Sequence, residues 1–254
     1  MLSLKDKLPQ FRERIALAKE YGDRVKALSS DYNGQLDAIW SRYRYKIRQA
    51  VLAGSPIEPI LDSLMKEMRS LLQMLLNNCV YLVCEREDMD YDIYKNLLPQ
   101  SVQQCNADYY DYTLSKYKDI LSSEIAFATE GRSLGDISLF LANPLGYMSS
   151  KKGGLLELKR GIDNVDRGVS YSFSENMKKL GVSAAALAFA FGMYNMWQNK
   201  GEVGYYFGVR NSTYPCSLCD SYAYEPIPMS QGMIYPLHNR CVCSIVPIYQ
   251  SELP

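Results

Sequence analysis

Cys216-Ser-Leu-Cys219 is followed, after an 18-residue spacer, by His238-Asn-Arg-Cys241-Val-Cys243. Four of the seven cysteines and the only histidine therefore fall within 28 residues. Zinc accounts for such a cluster. Zn2+ takes four nitrogen or sulfur ligands tetrahedrally, a C-x2-C turn grips it with two sulfurs, and a second pair from a distant segment closes the site. Five side chains compete for four positions. If 241–246 is a strand, Cys241 and Cys243 point to one face, so either can bind. The set is Cys216, Cys219 and two of His238, Cys241 and Cys243, with Arg240 placed to offset thiolate charge. The plainer alternatives are a Cys216–Cys219 disulfide or free thiols, but nothing in the sequence points to secretion. A structural site is expected rather than a catalytic one, because thiolate-rich sites fill all four positions and leave none for water.

Upstream of the first pair the text alternates. Val203, Tyr205, Phe207 and Val209 recur every second residue, which predicts a strand. After the loop, the β-branched text of Cys241 to Ile248 predicts a second strand. The expected C-terminal module is a small hairpin-like β structure pinned by zinc.

Everything before Gly201 reads as helix. Phe11, Ile15, Ala18, Val25, Tyr32, Leu36, Ile39, Tyr43 and Ile47 form one apolar stripe over residues 10–53, with breaks expected at Gly22 and at Asp31 to Gly34. Ser55 as N-cap, Pro56 at the first helical position and Glu58 two residues on predict the next helix start. Ile57, Leu61, Leu64, Met68, Leu72, Leu75, Cys79 and Leu82 then make a wide apolar face, which needs a buried partner. A polar break follows at Glu85 to Asp90. Further helix is expected over 91–130, from Ser133 to Asn143, and over Leu155–Leu180, with a stop at Gly181 and a restart at Ser183. The loop from Gly146 to Gly154 does not fit a phosphate-binding loop, because no Lys-Ser or Lys-Thr follows its glycines. The expected fold class is mainly α with a small C-terminal β module. It divides into an extended helical region (1–132), a helical core (133–200) and a Cys/His module (201–254).

Composition narrows the function. Lysines and arginines number 28 and so do aspartates and glutamates, so no global basic field draws the chain to DNA or anionic lipid. The 21 tyrosines suit half-wet contact surfaces. Residues 1–9 lack the apolar core of a signal peptide. The apolar run Val182–Trp197 is short for a span and is expected to be a buried core helix, with no membrane partner. Cys79, Cys84 and Cys105 read as small buried hydrophobes, and the odd cysteine count argues against a complete disulfide framework. Arg42, Arg44, Lys46 and Arg48 interleave with Tyr43, Tyr45 and Ile47. That pattern offers a contact to packaged DNA, although a solvated helix flank explains it more simply.

Enzyme classes fall away on the residues. Pro215-Cys-x-x-Cys219 is half of a zinc-deaminase signature, but the upstream His-x-Glu is missing. One histidine cannot make a His-Glu-x-x-His hydrolase, and no paired carboxylates stand out, so no catalytic residue is nominated. The metal module holds few basic residues, which disfavours nucleic-acid binding there.

Val209-Arg-Asn-Ser-Thr-Tyr-Pro-Cys-Ser-Leu-Cys219, with Pro236-Leu-His-Asn-Arg-Cys-Val-Cys243 and the apolar strand after it, resembles the C-terminal signature of phage Mu F-like minor head proteins. That pattern is a strand, C-x2-C, a variable loop and H-P-x-C-x-C. Here Asn239 replaces the usual Pro and Val242 the usual Arg. The match covers about a fifth of the chain. The resemblance implies a structural, non-enzymatic virion component in the capsid interior or portal region, present in multiple copies per particle and in the host cytoplasm during assembly. It would contact portal or coat protein and assist head morphogenesis or DNA delivery. Cys216, Cys219, His238, Cys241 and Cys243 would be its Zn2+ positions. The alternative is an enzyme or toxin-like effector hosted on the helical region beside a structural zinc site.

Overall fold

The structure, a computed structural model, describes residues 8–94, 115, 118, 119, 122, 169–211, 214–237 and 241–252. The helices expected beyond residue 94 and from Ser133, the loop at Gly146, the boundary at 132, Cys105 and His238 lie outside the described residues. The chain is mainly helical with one small antiparallel sheet, as its text predicts. It forms two compact units. One comprises Met1–Tyr32, Gln73–Asn106 and Lys179–Pro254; the other comprises Asn33–Leu72 and Ala107–Lys178.

Helix α1 runs Arg12–Leu52 after a 3-10 turn at Leu8–Phe11, and α2 runs Glu58–Arg86. The four-residue α3 spans Tyr91–Tyr94, and α4 spans Val169–Lys200. The apolar stripe of α1 is buried much as its period predicts, from Phe11 and Ala18 through Val25, Tyr32, Leu36, Tyr43 and Ile47, with Tyr21 and Trp40 joining it.

Three expected breaks are absent, because α1 passes through Gly22 and Gly34 and α4 through Gly181. At Gly22 and Gly181 the reason is close approach. A Cβ on Gly22 would collide with the Asn211 side chain and Ser244 Oγ, and one on Gly181 with the Tyr32 ring. Helix α2 also starts later than its apparent cap. The Ile57 carbonyl accepts from the N–H groups of Ile60 and Leu61, while the Ser55 N–H turns back to the Ala50 carbonyl at the end of α1. Pro59, in the first turn, has no N–H to lose there.

In the first unit, Tyr21 of α1 stacks on Phe189 of α4 at 6.3 Å. Arg24 and Glu85 join α1 to α2 through hydrogen bonds of 2.5 and 2.7 Å. Helix α4 is the apolar centre of this unit, with Ala184, Ala185, Phe189, Met193, Met196 and Trp197 buried. Its Met177–Lys200 stretch is long and apolar enough to cross a membrane, but 72% of that apolar window is buried inside the protein. In the second unit, Tyr43 donates to Glu67 at 2.6 Å. There Lys178 pairs with Asp37 at 2.9 Å.

The sheet has strand order β2-β1-β3, with β1 at Val203–Val209, β2 at Ile227–Pro228 and β3 at Ser244–Tyr249. A third strand was not expected: two residues, one of them proline, carry no alternation signal. Both β1 faces are buried. Phe207 and Val209 pack with Phe11, Ala18, Val246 and Ile248, while Tyr206 meets Tyr194 and Tyr235 on the other side. The β1–β3 register sets Val209 opposite Ser244. The chain leaving β1 and the chain entering β3 therefore meet at one end of the sheet.

Candidate metal centre

That end carries the cysteines. After β1 the chain turns through Arg210 and Pro215 into α5, Ser217–Tyr222. Cys216 is the N-cap of α5, and its sulfur accepts the Cys219 N–H at 3.4 Å. Capping places the first sulfur over the helix start and turns Cys219 inward, where it is buried. The second pair lies just before β3. The expected strand over Cys241–Ile248 instead begins at Ser244.

The sulfurs of Cys219, Cys241 and Cys243 lie within 4.8 Å of one another, a group able to hold a metal ion. Cys219 Sγ and Cys241 Sγ are 3.8 Å apart. A disulfide needs about 2.05 Å, and no disulfide joins the described cysteines. Tetrahedral zinc with Zn–S of about 2.3 Å spaces its sulfurs about 3.8 Å apart, so the donor set fits such an ion. Cys216 borders the cluster and hydrogen-bonds the Cys219 thiol. Of the five candidates, Cys219, Cys241 and Cys243 are brought together, Cys216 adjoins them, and His238 lies outside the described residues.

The thiols do not behave alike. Cys241 is lowered to about 5, chiefly because the Cys243 thiol donates to it, with the N–H groups of Cys243 and Leu237 adding to the effect. Burial pushes Cys219 up to about 12. Cys243 is raised, first by its donation to Cys241 and then by burial.

Several residues at this site escaped the sequence reading. Arg210 lies near the cluster, while Arg240 is outside the described residues. Its guanidinium pKa is raised, first by a hydrogen bond to Asp220, with the charges of Cys219 and Cys243 adding. Arg210 Nη1 reaches Asp220 at 2.5 Å, and Nη2 donates to the Tyr214 carbonyl. Its signal was its place, one residue past an alternating strand and six before the C-x2-C turn. Tyrosines hold the loop between the cysteine pairs. Tyr206 donates to the Gly232 carbonyl at 2.7 Å and accepts the Ile234 N–H at 3.0 Å. Tyr194 donates to the Met229 carbonyl at 2.7 Å, and Tyr235 to the Tyr222 carbonyl at 3.0 Å. No spacing rule marks these tyrosines in a chain so rich in them.

No match was found. The chain matched no family model, no curated protein and no solved structure. The site's chemistry therefore rests on its own geometry.

The other cysteines stand apart. Cys79 and Cys84 are buried in α2, and burial pushes Cys79 up to about 12, so both act as small hydrophobes. The basic stretch of α1 also resolves. Tyr43 and Ile47 are buried while Arg42, Arg44 and Lys46 are exposed. Arg42 pairs with Glu67, and Lys46 sits 4.7 Å over the Tyr43 ring. Tyr43 is thus committed to the protein and cannot stack on a base, although Tyr45 remains exposed.

Proposed function

We propose that this chain is a structural, non-enzymatic minor head protein of a tailed phage or prophage, in the portal region or capsid interior, held at its C-terminal end by zinc. The carrying observation is the convergence of Cys219, from the C-x2-C pair, with Cys241 and Cys243 of the C-x-C pair at one end of the sheet, in the order of the Mu F-like signature. Cys216, Cys219, Cys241 and Cys243 are the four Zn2+ ligands in this reading. Four sulfurs close the tetrahedron and leave no position for water, which supports a structural role. Four thiolates around Zn2+ carry a net charge of about −2, and Arg210 is placed to offset it. When bound, the ion would tie α5 to β3 and fix the open end of the sheet.

The long helices suit docking on portal or coat protein. Tyr45 of α1 and Tyr81 of α2 are 64% and 54% exposed, and an exposed tyrosine offers an apolar ring and a hydroxyl together. The test is assembly. The chain is co-expressed with the portal and coat proteins encoded beside it, and particles are separated on a gradient. The chain is expected to sediment with heads or portal rings in multiple copies. Quantitative recovery in the unassembled fraction, with normal heads formed in its absence, would overturn the proposal.

A further inference from the structure

The cysteine pairs reach the cluster from opposite sides, and one side chain spans between them. Tyr235 lies on the segment entering the second pair, three residues before His238. Its ring is buried on the far face of β1, 6.3 Å from the Tyr206 ring, and occupies the space beside Gly208 that any Cβ would fill. Its hydroxyl crosses to the first pair's element and donates to the Tyr222 carbonyl at 3.0 Å. Tyr222 is the last residue of α5, and its carbonyl, which also accepts the Glu225 N–H at 3.3 Å, marks the helix end. Helix α5 carries Cys219. Two residues past Tyr235, the Leu237 N–H is directed to the Cys241 sulfur. One phenol therefore fixes the end of the helix bearing one ligand, and the start of the segment whose backbone holds another.

We propose that Tyr235 is the positioning residue of the metal site, setting the distance between the Cys216/Cys219 arm and the Cys241/Cys243 arm through its hydrogen bond to the Tyr222 carbonyl. The inference rests on the zinc reading above. Groups behind metal ligands orient them, and their loss typically weakens metal binding about 10- to 100-fold. Tyr194 supplies the matched control. It too donates a buried phenol to a backbone carbonyl between the cysteine pairs, that of Met229, rather than to the helix that carries Cys219.

The experiment uses the full chain and its Tyr235→Phe and Tyr194→Phe variants. Phenylalanine keeps the ring and removes only the hydroxyl, and circular dichroism confirms that each variant is folded. Zn2+ affinity is read by competition with a chromophoric chelator, and ligand geometry from the visible and thiolate charge-transfer bands of the Co2+-substituted protein. Tyr235→Phe is expected to weaken Zn2+ binding about 10- to 100-fold and to change the Co2+ bands, whereas Tyr194→Phe leaves both unaltered. Wild-type affinity and bands in Tyr235→Phe would overturn the proposal, as would equal weakening in both variants, since that would mark general loop ordering. If the wild-type chain takes up neither ion, the zinc reading falls first and this inference with it.

Discussion

At the Val203 end of the sheet the closure is carbon and charge; at the Val209 end it is sulfur. Arg14 of α1 closes the first end. It makes two hydrogen bonds of 2.7 Å to the Glu252 carboxylate and lies 4.6 Å over the Tyr249 ring, while Gln250 N–H reaches the Glu202 carbonyl at 2.8 Å. These contacts are complete within the chain. The other end has two short segments and a six-residue helix whose inward groups are thiols. Tyr235 packs beside Gly208 there, but thiols crowded against one another give little cohesion without a cation to bind. The same strand is thus self-sufficient at one end and, in the account proposed here, dependent on an ion at the other.

The sharpest way to break that contrast is chelation followed by limited proteolysis. A strong zinc chelator is expected to open the segment 214–243 to cleavage while the helices and the Arg14–Glu252 end stay protected. Equal protection at both ends after chelation would contradict the difference. Phe207→Ala should weaken the carbon-packed part by about 3–5 kcal/mol, because it empties a fully buried site between Phe11 and Val246. Denaturant unfolding measures it, and the metal content should be unchanged.

A smaller effect is expected at the ion pair. Glu252 is held below the usual glutamate range, first by its hydrogen bond from Arg14. A depressed carboxylate stabilises the fold at neutral pH; the contribution fades below about pH 4.3, the ordinary glutamate value, and is gone once the folded-state group is protonated. Glu252→Gln should cost about 1 kcal/mol at pH 7, given partial exposure, and its stability difference from wild type should vanish near pH 2. A difference that persists there would mean that packing, not charge, is what the residue supplies. The smallest effect belongs to the second unit. Reversing the charge of Arg42, Arg44 and Lys46 should change stability by less than about 1 kcal/mol and leave retention on immobilised DNA unaltered. Lost retention would restore the DNA contact that the burial of Tyr43 argues against.

The contrast also marks where the amino-acid text could be read. The α1 and α2 stripes were legible because helix burial repeats every three to four residues, and Leu36, Tyr43, Leu64 and Met68 follow that period into the core. The glycines misled because local text cannot reveal a neighbour. Gly22 and Gly181 read as breaks, yet they are places where Asn211 and Tyr32 come close. At the cysteine end, ligand types and spacing named the cluster, since the chemistry demands them. Its support was hidden: Tyr235 and Arg210 act across 13 and 10 residues, through contacts that form only once the chain between β1 and β3 folds back on itself.

The central claim is tested most directly by native mass spectrometry of the purified chain beside its Cys219→Ser/Cys241→Ser variant. The account predicts one zinc ion per wild-type chain and none in the variant, with the helical content of the two indistinguishable. A wild-type chain that carries no metal after expression in zinc-replete medium, or a variant that keeps its zinc, would contradict it.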